Sequence, residues 1–121
     1  MKILKTASRF LYALPIMLFG INHLKYGAGM AGMVPAYLPL KTFWVYFTGL
    51  AMIVATIAIM AQIKYARLAG ILLGVLILMF ALLIHLPGIF NPSSMQLSMT
   101  MFQKDLALAG GAFFIAAYSK K

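Results

Sequence analysis

Between Phe43 and Ile63 the chain carries no charged side chain and a single amide, Gln62. About 20 apolar residues in a row match the roughly 30 Å of hydrocarbon in a bilayer, because a helix rises 1.5 Å per residue and satisfies its own backbone there. Comparable runs cover about 3–24, 68–86 and 101–118, the last reached by adding Met101 and Phe102 upstream of Asp105. Four such segments leave little chain for anything except helices packed side by side. Composition agrees: hydrophobic residues make up 64% and charged residues 9%, against roughly 45–50% and about 25% in soluble domains. A chain of about 150 residues buries only about 70% of its unfolded surface on folding, so the surplus apolar surface calls for lipid. The expectation is a single domain over residues 1–121, all-α, built as a four-transmembrane-helix bundle. The first run, with its basic start, apolar Phe10–Ile21 and small residues at 27–32, has the outline of a secretory signal. Three further spans follow it and residue 33 makes a poor start for a mature domain, so it reads as a retained first helix.

Ten Lys/Arg stand against one acid, Asp105, for a formal charge of +9. Such a balance can mark nucleic-acid binding, but the basic residues lie at the ends of apolar runs, where their stems reach toward headgroups, and no basic stripe with interleaved aromatics exists. Lys/Arg near span ends also orient a membrane chain, the richer side facing the cytoplasm. With the N-terminus inside, Lys2, Lys5, Arg9, Lys64, Arg67, Lys120 and Lys121 face inward, against Lys25, Lys41 and Lys104 outward. Both termini are then cytoplasmic, and the outer side carries the two long connections and Tyr37, Trp44 and Tyr46.

Those connections differ. Residues 25–42 are rich in Gly and Met and end in Val34-Pro35-Ala36-Tyr37-Leu38-Pro39. Two prolines oppose a continuing helix and the apolar content opposes a free loop in water, which points to an interfacial or re-entrant segment folded over the bundle mouth. Residues 87–100, with Asn91-Pro92-Ser93-Ser94, read as a polar loop. Small residues recur at four-residue spacing in Ala51 and Ala55, in Ala66, Gly70 and Gly74, and in Ala107 and Gly111; together with Gly49 they are candidate faces for close helix approach.

Acid–base chemistry near neutral pH has three carriers, His23, His85 and Asp105, and the topology sets all three at the outer ends of their helices. An ionisable group within a span is costly, so it marks a site or at least a specific partner. Each also has a plainer role open to it: Asp105 favouring its helix N-terminus or pairing with Lys104, Lys41 or Lys25, and each histidine as a hydrogen-bonded interfacial residue. Together with Asn22 and Tyr37 they form the candidate pocket. Its chemistry is narrowed by what the sequence lacks. Without cysteine there is no thiolate nucleophile, iron–sulfur ligation or Cys-based zinc site. Two histidines and one carboxylate could in composition hold a metal, but no ligand pair stands at helical i, i+3 or i, i+4 spacing, and haem would lack hydrocarbon cover at the outer edge. Ser93 and Ser94 lie in a polar loop without an arguable triad. A quinone or other small apolar ligand suits an apolar cavity with a few placed hydrogen-bonding groups better.

The sequence resembles the DoxX-like family of small four-helix membrane proteins. The resemblance rests on Gly20-Ile21-Asn22-His23-Leu24, Met33-Val34-Pro35-Ala36-Tyr37-Leu38-Pro39, Val45-Tyr46-Phe47-Thr48-Gly49 and Gln103-Lys104-Asp105-Leu106-Ala107-Leu108-Ala109-Gly110-Gly111, which follow one another in the family's order over nearly the whole chain. It implies a four-helix bundle in a bacterial inner membrane. Members include subunits of a thiosulfate:quinone oxidoreductase and partners of redox enzymes, while eukaryotic relatives look like assembly chaperones. Many relatives carry a glutamate three residues after the helix-2 glycine, where this chain has Met52. The expected role is an accessory or quinone-linked membrane subunit without independent catalytic activity. The rival is an assembly or chaperone-like partner that meets other membrane proteins, or a second copy of itself, through its glycine faces.

The orientation is testable because the chain has no cysteine of its own. Single Lys64→Cys and Asn91→Cys variants label with a membrane-impermeant thiol reagent from opposite sides of the membrane; labelling of Lys64→Cys from outside intact cells reverses the assignment.

Overall fold

A computed structural model describes residues 1–119; Lys120 and Lys121, two of the inward-facing basic residues of the orientation argument, lie outside the described residues. Four long helical rods run antiparallel in chain order: α1 (Lys2–Lys25), α3 (Lys41–Ala61), α4 (Ala66–Phe80) and α6 (Met95–Tyr118). Between α1 and α3 the short α2 (Gly27–Met30) and a 3₁₀ turn at Ala31–Met33 lead into an irregular stretch up to Leu40. α4 runs through a π-helical turn at Ala81–His85 directly into α5 (Leu86–Ile89). The described residues contain no strand.

Three of the helices are long and apolar enough to cross a membrane: α1, α3 and the rod Ala66–Ile89. α6 is as long as α1, but Gln96, Ser98, Thr100, Gln103, Lys104 and Asp105 dilute its first half. The outward faces carry large apolar side chains such as Leu11, Leu72 and Phe114 in the open, while mostly small residues turn inward.

α1 packs against α3, α3 against α4 and α4 against α6. The ring closes where the Tyr12 hydroxyl donates to the Leu108 carbonyl across α1 and α6. The shared core consists of Ala13 and Ile16 of α1, Met52, Ala55 and Ile59 of α3, Leu73 and Ile77 of α4, and Ala109 and Ala112 of α6. Thr56 is fully buried among them and donates to the Met52 carbonyl at 2.8 Å, so its hydroxyl costs no unpaired group.

Glycines set how close the backbones come. A Cβ on Gly49 would lie 2.5 Å from the His23 Cβ and 2.9 Å from the Gly20 carbonyl oxygen, and one on Gly20 would lie 2.7 Å from the Gly49 carbonyl oxygen. At the other end a Cβ on Gly70 would meet the Ala116 Cβ at 2.9 Å, and one on Gly74 would meet the edge of the Phe113 ring at 2.5 Å. Gly111 lies under the Tyr12 ring. Ala107 corrects the expected α6 face: it is exposed, and the buried line runs through Asp105, Ala109, Ala112 and Ala116. The reason is register. The line that faces α4 is set by where Gly70 admits Ala112 and Ala116, and this turns Ala107 outward.

A second correction concerns residues 87–100. The non-helical stretch between rods is only Phe90–Ser94, because α5 continues past Pro87 and α6 starts at Met95. Pro87 has no N–H and its ring crowds the carbonyl four residues back, so the upstream turn widens to a π turn instead of ending. Ser94 donates to the Gly88 carbonyl at 2.8 Å and ties the two helix ends together.

The glycine contacts differ in what can yield. Gly49→Ala pushes a methyl into α1 backbone and Cβ atoms and is expected to lower stability by about 1–3 kcal/mol. Gly110 has open space at its Cβ position, so Gly110→Ala is expected to raise stability by about 0.5–1 kcal/mol through helix propensity. Thermal unfolding of both variants in detergent checks the pair; equal melting temperatures would contradict the close crossing of α1 and α3.

Candidate functional site

Among the four rods the bundle forms a half-open cavity of about 560 Å³. Its walls are apolar: Ile16 and Phe19 of α1, Val45 and Met52 of α3, Leu76 and Phe80 of α4. Residues from Met30 to Leu38 also line it, so the irregular stretch between α1 and α3 covers the mouth. Its end is held where the Trp44 indole N–H donates to the Pro39 carbonyl at 2.9 Å.

Against this apolar background three polar side chains meet, one from the π turn and two from α6. The His85 Nε2 lies 3.2 Å from Asp105 Oδ2, and the Lys104 ammonium lies 3.4 Å from Oδ1. Asp105 and His85 have side chains only 7% and 12% exposed, while that of Lys104 is 42% exposed, which makes the histidine the inner partner and the lysine the outer one. A carboxylate accepts only, so Nε2 carries the hydrogen of this bond and Nδ1 is left for another partner. Lys104 is held twice more, with its nitrogen 5.4 Å from the centre of the Phe19 ring and 3.5 Å from the Met101 sulfur.

The π turn delivers His85 to this position. An extra residue in one turn rotates the later part of the helix relative to regular α periodicity, and His85 is the last residue of the widened segment. Its ring therefore reaches α6.

His23 reaches the cavity differently. It sits where the absent Gly49 side chain leaves room, its Nδ1 lies 2.6 Å from the Phe19 carbonyl, and its ring stacks on Phe80 at 6.4 Å between centroids. A carbonyl only accepts, so Nδ1 donates, and Nε2 of the neutral ring remains an acceptor. Two histidines thus line one cavity with different free atoms.

The structure brings His85 and Asp105 into direct contact, and places His23 and Tyr37 on the same cavity wall. Tyr37 is 72% exposed and belongs to the mouth. Asn22 does not join them. It is exposed near the end of α1, where its carbonyl accepts the Tyr26 N–H, and it is not among the lining residues. Of the three lysines offered as partners of Asp105 it is Lys104 that meets it, and Phe80 completes the site beyond the expected set. Adjacency to the one acid was the available signal for Lys104, although neighbours in a helix do not normally face each other. Nothing in the sequence marked Phe80. Met52 lies buried on the cavity wall and presents a thioether there. No group of three His, Asp or Glu side chains converges as metal ligands among the described residues.

The two contacts to Asp105 differ in burial, and so in what each contributes. Asp105→Ala strands the inner His85 and is expected to lower stability by about 1–3 kcal/mol. Lys104→Ala removes a half-exposed partner and is expected to cost under about 1 kcal/mol. Melting temperatures of the two variants in one detergent check this ranking.

No family model, curated protein or solved structure matches the chain. What the cavity can do is therefore read from its own side chains.

Proposed function

We propose that the chain is a four-span bacterial inner-membrane protein of the DoxX-like type, with both ends cytoplasmic, that holds a quinone in its outward cavity as an accessory subunit for a redox partner. On this reading α6 is the fourth span, and its polar first half lies against the cavity and the outer headgroups. The observation that carries the reading is an apolar cavity of about 560 Å³ with a few polar side chains in its lining, His23, His85, Lys104 and Asp105 among them, within the roughly 300–1,000 Å³ usual for small-molecule sites.

A quinone asks for an apolar slot for its ring and tail and hydrogen-bond donors at its carbonyl oxygens. The ammonium of Lys104 is a donor of that kind, while His85, its Nε2–H held by Asp105, turns Nδ1 to the cavity as an acceptor. A quinol asks instead for acceptors for its hydroxyl groups, and His23 Nε2 is one. Asp105 itself is a positioning residue, fixing the ring of His85 through the Nε2 bond. The π turn and Gly49 supply the backbone geometry that both histidines need. Met52 removes one proton-carrying position common in the family, which supports a role in holding the ligand rather than in a reaction of its own.

Lipid extracts of gently solubilised protein are expected to contain quinone by mass spectrometry, in amounts comparable to the protein. Asp105→Asn is expected to weaken retention about 10- to 100-fold, in line with a charge-assisted hydrogen bond worth about 1.5–3 kcal/mol. Extracts free of quinone, from protein that co-purifies with another membrane protein, would replace this reading with that of an assembly partner.

A further inference from the structure

The opposite end of the bundle holds a second cavity, of about 320 Å³, which the quinone site does not use. It lies between the start of α1, the end of α3 and the end of α6. Lys5, Ser8 and Arg9 line one side, and Gln62 and Ser119 the other. The Arg9 Nε is shielded from solvent and has no hydrogen-bond partner among the described residues. Such a group is costly unless something supplies an acceptor.

The chain cannot supply a carboxylate side chain. Its one acid, Asp105, is bound to His85 and Lys104, and stands thirteen residues, about 20 Å of helix, from the end of α6 at Tyr118. Nearby polar groups are already engaged: Gln62 donates to the Ser119 hydroxyl at 3.2 Å, that hydroxyl donates to the Ile115 carbonyl, and Arg67 donates to the Ser119 carbonyl at 2.8 Å. They draw further positive charge to this end without offering an anion. The cavity rim is apolar and open. Leu4, Phe114 and Tyr118 are 56%, 66% and 65% exposed, and the Lys5 ammonium sits 5.9 Å from the centre of the Tyr118 ring.

We propose that this cavity is a binding site for the phosphate of an anionic phospholipid, with Arg9 and Lys5 holding the phosphate oxygens and the acyl chains lying along Leu4, Phe114 and Tyr118. A guanidinium presents paired N–H groups to a phosphate, and basic pockets between membrane helices suit anionic headgroups. The apolar rim distinguishes a lipid from a free oxyanion, because inorganic phosphate gains nothing from it. This site is independent of the quinone reading, since the two cavities have no lining residue in common.

Thermal stability of the purified chain in a neutral detergent tests it, with dioleoylphosphatidylglycerol, dioleoylphosphatidylcholine or inorganic phosphate added. The glycerol lipid is expected to raise the melting temperature in a saturable way, the net-neutral choline lipid much less. Arg9→Gln and Lys5→Gln are each expected to weaken the apparent affinity about fivefold, the value of one basic residue near an anionic surface. Lys25→Gln, at the far end, is expected to leave it unchanged. Lys5 is exposed, so Lys5→Gln decides the matter even where Arg9→Gln does not fold. A response to the glycerol lipid that is the same in wild type and Lys5→Gln overturns the site. An equal, Arg9-dependent response to inorganic phosphate overturns the lipid assignment in favour of a free oxyanion.

Discussion

Helices whose outer faces are more apolar than their inner ones gain nothing from hydrophobic burial once lipid surrounds them, because the tails are as apolar as leucine. What remains is van der Waals contact at close range, and in this chain that contact is concentrated at Gly20 with Gly49 and at Gly70 with Ala112 and Ala116. These crossings hold α1 to α3 near one end and α4 to α6 near the other. The larger cavity takes its lining from both pairs.

The same packing economy shapes the electrostatics. Asp105 is the one acid in the chain, it is buried, and its partners come from two elements: His85 from the π turn and Lys104 from its own helix. Placing the carboxylate at one end leaves the basic residues of the other end without an acidic side chain among the described residues. Among the described residues one pole therefore sets Asp105 against Lys25, Lys41 and Lys104, and the other, the cationic pole, holds basic side chains alone. In the proposed orientation the cationic pole faces the cytoplasmic leaflet, where anionic lipids are richest.

Pro87 shows how a local conflict can be turned to use. A proline that removes a backbone donor either stops a helix or widens it, and here the neighbouring turn of α5, pinned through Ser94 to Gly88, keeps the helix going. The widened turn places His85 against α6, whereas regular helical periodicity would have put a different face there. A strained backbone in the hairpin between α3 and α4, with Gln62 and Tyr65 both at positive φ, similarly holds Gln62 over Ser119.

Hydropathy by itself determined that the chain is helical and where three long apolar rods lie, because apolar runs of about 20 residues have few other solutions; the fourth run, 101–118, falls in a helix whose polar first half keeps it from the same measure. Hydropathy also picked out the residues able to carry charge near the outer ends, since the chain has so few. Gly49, Gly70, Gly74 and Gly111 were legible as contact points from their spacing or their place at the start of a span. Facing was not. Ala107 has the right spacing and points outward, and Asn22 has the right depth and stays outside the cavity, because rotation about a helix axis is set by the neighbouring helices and not by the helix itself. Nor did the sequence show that α4 continues through Pro87, that Phe80 stacks on His23, or that the Arg9 Nε is shielded without a partner among the described residues. Each depends on groups far apart in the chain meeting at one depth, and only the tertiary packing decides which of them do.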